Sequence, residues 1–291
     1  MTDLQEKLGI IPFSVKEIVK LHDYSVYSSE KLKSSFIDIV SKNKLISPVR
    51  GPISNLINDD VIVPGFMSKN IIKLLLHKKF ANGFKKTLMG IYHPESHKIY
   101  ILMDNNVNLF SWVSDKNVSQ ILLHEVMHYA CRQDQNKFFN IFKDMFASYY
   151  SKFFEIYAGI QIESNSAKRI AKFLISNFEN TKQYKVNLKV YYEFIKKELS
   201  VFGKKRAEEI AMDLASAFGL YMKNNAVFVA TINNNKQMNN LYYALIDAYK
   251  EIGIVDPDTT AAQELMWPSE IAAIACDKPN SLHYKVINLL T

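Results

Sequence analysis

The sequence predicts a mainly helical α+β protein in which a small sheet lies beside one central helix. Three observations predict it: apolar residues recur at helical spacing through most of the chain after residue 114, two strand-like segments stand just before that point, and 48% of the 291 residues are hydrophobic, enough for a substantial core. The length fits one elaborated domain or two.

In chain order, residues 14–21 and 29–42 read as short helices, each opening on a serine, Ser14 or Ser29, whose hydroxyl can cap the first turn. Residues 45–66 hold Pro48, Gly51, Pro52, Pro64 and Gly65 and read as a loop-rich connector. That connector is the expected boundary between an N-terminal helical appendage, residues 1–66, and a main domain, residues 67–291. An amphipathic helix is expected over 68–84, with Ile71, Ile72, Leu74, Leu75 and Leu76 opposite lysines. Residues 88–92 and 98–103 form a hairpin: Pro94 and Ser96 suit the turn, and Ile99, Tyr100, Ile101 and Leu102 are strand formers. His93 and His97 fall at that turn, where a solvated side chain is the expected state.

The next helix starts near Ser114 or Asp115 and runs to about Gln133. On it His124 and His128 stand one turn apart on one face, able to share a metal ion, with Glu125 beside them. With seven histidines in the chain, His-Glu-x-x-His arises by chance in about one such sequence in a hundred. Leu122, Val126, Met127, Tyr129 and Ala130 are uncharged, and a metal would engage polar groups set among them. Cys131 shares the metal face and reads as a small buried residue.

Residues 136–160 are dense in aromatics and read as the buried centre of a bundle. Lys137, Lys143, Asp144, Lys152 and Glu155 argue against a membrane span. Further helices are expected over 166–180, 185–202, 204–223, 237–252 and 258–277, with a strand over 226–232.

His124-Glu125-x-x-His128 resembles the motif of the zincin metallopeptidases. The resemblance implies a zincin-like core, one catalytic Zn2+ on the two histidines, Glu125 as general base in peptide hydrolysis, and a neighbouring strand that holds the substrate extended, a role assigned to residues 98–103. A catalytic zinc takes three protein ligands, and three residues compete for the third place. Glu270, behind Pro268 and followed by Ile271, Ala272, Ala273, Ile274, Ala275 and Cys276, resembles the glutamate helix of the gluzincins, lethal-factor-like proteins in particular. Glu209, spaced E-x-x-x-D with Asp213, is similar to thermolysin-like gluzincins, although Lys204, Lys205 and Arg206 make it read as a solvated face. Asp134, ten residues after His124, occupies the metzincin position, but Cys131 stands where those families carry glycine. Glu270 is preferred for its apolar surroundings, and residues 135–200 then read as a large helical insertion. His283 and Tyr284 are candidate oxyanion donors.

The expected function is that of a gluzincin-type zinc endopeptidase with a peptide or protein substrate. A Lys- and Asn-rich composition, the unassigned N-terminal region and the aromatic helix motivate the other reading, a structural or interaction protein, such as a viral or phage component, that meets a larger assembly through one of those regions. The net charge of +7 comes from dispersed lysines and singles out no nucleic-acid partner. Cys131 and Cys276 build no disulfide framework, the N-terminus lacks a secretory pattern, and no run of about 18 apolar residues appears. An intracellular location, virion included, without a membrane span is expected.

Overall fold

The computed structural model describes residues 26–27, 30–44, 46–67, 88–93, 96–104, 115–179, 187–223, 235–253, 267–276 and 289–290, which are mainly helical with one small sheet. The expected helices at 14–21 and 68–84, the strand at 226–232, the first part of the helix at 258–277, and His283 and Tyr284 lie outside the described residues.

Contacts divide the chain into two compact units, one from residues 1–133 with 273–291 and one from residues 134–272. The first holds the sheet: β1 (Val26–Tyr27), β2 (Ile62–Met67), β3 (Leu88–His93) and β4 (Lys98–Asp104), in spatial order β1-β2-β4-β3. β1 runs antiparallel to β2, β2 parallel to β4, and β3 antiparallel to β4. Ile99 and Ile101 of β4 are buried while Lys98 and Tyr100 are half-buried, the period of two that gives a strand one covered face. Helices α1 (Glu30–Lys42) and α2 (Arg50–Asn58) pack on β2 and bury Phe36, Val40, Ile53 and Ile57. Lys33 of α1 reaches past α2, donating to the Asn58 carbonyl at 3.1 Å and the Asp60 carboxylate at 2.8 Å. α3 (Asp115–Gln133) lies against β3 and β4.

The connector expected over 45–66 is instead largely regular structure, and the boundary expected after residue 66 falls inside β2. The prolines misled because each sits where no backbone N–H is needed. Pro48 lies in the 3-10 turn Ser47–Val49 and Pro52 in the first turn of α2, where N–H groups have no intrahelical acceptor. Pro64 is inside a strand. The Ile99 N–H donates to the Val61 carbonyl at 2.7 Å, so positions 61, 63 and 65 face β4 while Pro64 faces the other way, where among the described residues β1 pairs with Phe66 and Met67.

The second unit is helical throughout its described residues: α4 (Gln135–Ala158), α5 (Ser164–Leu174, continued by a π turn to Glu179), α6 (Leu188–Glu198), α7 (Lys204–Lys223) and α8 (Lys236–Glu251). α4 is its centre, flanked by α5 and α8, while α6 pairs with α7. Phe138, Phe142, Phe146, Tyr149, Phe153 and Phe154 of α4 are buried, as expected of the aromatic stretch, and successive rings of the three phenylalanines first named sit 5.1 and 6.1 Å apart. The Tyr149 hydroxyl donates to the Leu245 carbonyl of α8 at 3.4 Å. Among the described residues no helix is long and apolar enough to cross a membrane.

Burial holds the phenols of Tyr149 and Tyr191 in their neutral form, pushing their pKa values up; burial first and the Asp213 carboxylate second do the same for Tyr157. A raised tyrosine pKa stabilises the fold fully below the unfolded value of about 10, and the contribution is lost as pH rises from there through the folded values. Unfolding free energy will therefore fall above about pH 10, with part of the phenolate absorbance appearing only together with loss of helical circular dichroism. Complete phenol ionisation in a still-folded chain would contradict this core.

Candidate metal centre

α3 is built as a helix with one apolar stripe. Val118, Leu122, Val126 and Met127 are buried on it, while His124, Glu125, His128 and Tyr129 occupy a half-buried face. A group that is to bind both protein and a small ligand needs that intermediate burial. The spacing of four brings the imidazoles of His124 and His128 together, ring centroids 5.2 Å apart and planes at 69°.

The third member arrives on α9 (Pro268–Cys276), one continuous helix whose last residues, Ala273 to Cys276, belong to the first unit. Within that unit the Cys276 thiol donates to the Met127 thioether of α3 at 3.9 Å, fixing where α9 meets α3. Alanines at 272, 273 and 275 are buried and small enough for close helix packing. Pro268 opens α9, and Glu270 stands in its first turn, where the helix dipole favours a negative charge. That turn is not solvated. Glu270 is 5% exposed and is the one buried carboxylate among the described residues. Burying a carboxylate is costly unless it is engaged, and here it faces two imidazoles. One ligand atom each from His124, His128 and Glu270 lie within 4.8 Å of one another, a group that could hold a metal ion.

The donor set fits such an ion. Imidazole nitrogen and carboxylate oxygen suit divalent ions such as zinc. Two ligands each about 2.1 Å from a tetrahedral ion lie about 3.4 Å apart, so atoms separated by up to 4.8 Å draw together by at most about 1.4 Å on binding, through side-chain rotation.

Glu125 is not part of that group. Its Oε2 accepts the backbone N–H of Tyr92 in β3 at 2.7 Å. The Ile99 N–H points to β2, so its partner Tyr92 sits in a pair without ladder bonds, and the Tyr92 N–H points outward from the sheet edge. Gly90, two residues earlier, lets the helix come this close: a Cβ there would meet Glu125 Cγ at 2.5 Å and Ile121 Cγ2 at 2.7 Å. The role of Gly90 and Tyr92 was not foreseen, although an isolated glycine inside a strand is a known sign of close approach. The Tyr92 ring meets Tyr129 edge-on at 6.3 Å, Arg132 lies 5.9 Å from its centroid, and its hydroxyl is 3.1 Å from His97 Nδ1. Burial first, and the Asp59 charge second, push the Tyr129 phenol upward.

One expectation is corrected, and the two rival ligand candidates lie outside the metal group. Residues 98–103 cannot hold an added strand, since β4 has β2 on one side and β3 on the other; among the described residues β3 is the edge, because β2 from the supposed connector fills the far side of β4. Glu209 lies on the exposed face of α7, 3.7 Å from Arg206, and its companion Asp213 accepts from the Tyr157 hydroxyl at 2.8 Å and the Gln237 amide at 2.6 Å. Asp134 ends α3 in an extended conformation and caps α4, accepting the Lys137 N–H at 2.8 Å. Cys131 is buried and lies outside the metal group.

The protein loaded with Zn2+ and dialysed will retain about one equivalent. Glu270→Ala will weaken retention by more than about 100-fold, beyond the loss of a supporting partner, and Glu209→Ala will not; the reverse pattern would exclude Glu270. Gly90→Ala will cost about 1–3 kcal/mol through overpacking, read as a lower thermal midpoint. Comparison of the chain with family models, curated proteins and solved structures returns no match, so the metal group stands on geometry and donor chemistry.

Proposed function

We propose that this chain is a zinc-dependent endopeptidase of the gluzincin type, with a zincin-like core in its first unit, His124, His128 and Glu270 as zinc ligands and Glu125 as general base. One observation carries the reading: a buried glutamate from a helix far along the chain meets the two imidazoles of a His-Glu-x-x-His helix. Three protein ligands with an open position are what catalytic zinc sites keep, whereas structural sites are closed by four. When bound, the ion supplies Lewis acidity toward a carbonyl and toward water.

The remaining chemistry belongs to the chain's own side chains and backbone. Glu125 takes the proton of the attacking water and passes it to the departing amine. The Tyr92 N–H holds one of its oxygens, and among the described residues the other carries no hydrogen bond, so the carboxylate is oriented without being saturated. An extended peptide adds to the outer edge of β3, where Leu88 and Gly90 turn their backbone groups outward, and it is thereby laid beside the Glu125 carboxylate that the Tyr92 N–H already holds.

Glu125→Gln preserves shape and hydrogen-bonding reach while removing the base. It will retain Zn2+ and lose peptide hydrolysis by about 10²-fold to 10⁴-fold. Full hydrolysis by that variant overturns the assignment of the base. A wild-type protein that holds zinc and cleaves no member of a peptide library favours the structural reading.

A further inference from the structure

Within the second unit, α6 and α7 pair as a helical hairpin whose 3-10 turn, Ser200–Phe202, carries an apolar tip among cations. Val201 is 82% exposed, the most exposed large apolar side chain among the described residues. That exposure is built into the turn. Leu199 is buried beneath it, the N–H groups of Phe202 and Gly203 donate back to Leu199 and Ser200 at 3.0 and 3.1 Å, and the Ser200 hydroxyl donates to the Lys197 carbonyl at 2.8 Å. Gly203, with φ 98°, leaves the turn in a conformation open to glycine.

Residues 193–209 hold Lys196, Lys197, Lys204, Lys205 and Arg206 against Glu193, Glu198, Glu208 and Glu209, five cations less four anions, with Lys204, Lys205 and Arg206 directly after the turn. Glu198 is already bound by Arg169 at 2.8 Å, Lys196 pairs with Glu193 at 2.9 Å, and Arg206 reaches Glu209 at 3.7 Å. Lys197, Lys204 and Lys205 have no carboxylate partner among the described residues. The first turn of α7 has no acidic residue and opens on Lys204, Lys205 and Arg206, the end of a helix where the dipole already places positive charge. Such an arrangement is locally unfavourable, and an anionic surface relieves it.

We infer that the α6–α7 turn docks on an anionic lipid surface, Val201 entering the boundary between headgroups and acyl chains while Lys197, Lys204 and Lys205 meet lipid phosphates and carboxylates. The most exposed side chain of the tip is aliphatic and the Phe202 ring beside it is half-buried, which makes lipid a better match than a nucleic acid that needs an open stacking ring. One apolar residue with a few cations gives weak, reversible attachment that falls with salt.

The test is cosedimentation of the full chain with phosphatidylcholine vesicles, with and without phosphatidylserine. Binding will require phosphatidylserine. Lys204→Ala with Lys205→Ala will lower the partition coefficient about 25-fold, at about fivefold per lysine. Val201→Ser will lower it about tenfold while leaving the salt dependence unchanged. All three positions are exposed, and unchanged circular dichroism will verify that each variant is folded. No binding to phosphatidylserine vesicles, indifference to Val201→Ser, or retention on single-stranded DNA with vesicles left unbound would overturn the assignment.

Discussion

The close seating of α3 on strand β3 is the constraint on which the candidate metal group and its surroundings depend. A helix has one rotational setting once its buried stripe is chosen, and Val118, Leu122, Val126 and Met127 choose it. Glu125 then points at β3, and the two histidines, on either side of it in sequence, are aimed as a pair. The absence of a side chain at Gly90 allows the carboxylate to reach the outward N–H of Tyr92. Without that approach the strand would sit farther out, and the candidate base and the sheet edge would no longer be neighbours.

α9 completes the arrangement through small residues. Its buried alanines and the contact between Cys276 and Met127 bring its backbone near α3, and Glu270 follows because it lies on the same rigid helix. A carboxylate 5% exposed would destabilise an apolar helix if nothing engaged it, whereas Glu209, half exposed and close to Arg206, has water and a guanidinium. Burial separates the two glutamates where sequence context left both open.

The second unit follows a different principle. α4 carries aromatic side chains around much of its circumference, so α5 and α8 are held against it by area and ring contacts, with few polar links. Its charges are displaced to the outer faces and the helix ends, which is how an apolar tip at the α6–α7 turn comes to lie among lysines.

Sequence alone determined the local features. The limits of α1, α3 and α7, the β3–β4 hairpin, the aromatic core of α4 and the pairing of His124 with His128 all follow from spacing along a few turns or strand residues, where periodicity and capping act. Tertiary structure decided what depends on distant segments meeting: that Pro64 lies within a strand, that β4 is interior and β3 the edge, that Gly90 makes room for Glu125, and that Glu270 faces the histidines while Glu209 and Asp134 do not. The physical reason is the same in each case. Backbone hydrogen bonding and helical spacing are set by near neighbours, but burial of a carboxylate, and the number of neighbours a strand has, are set by whichever remote element packs beside it.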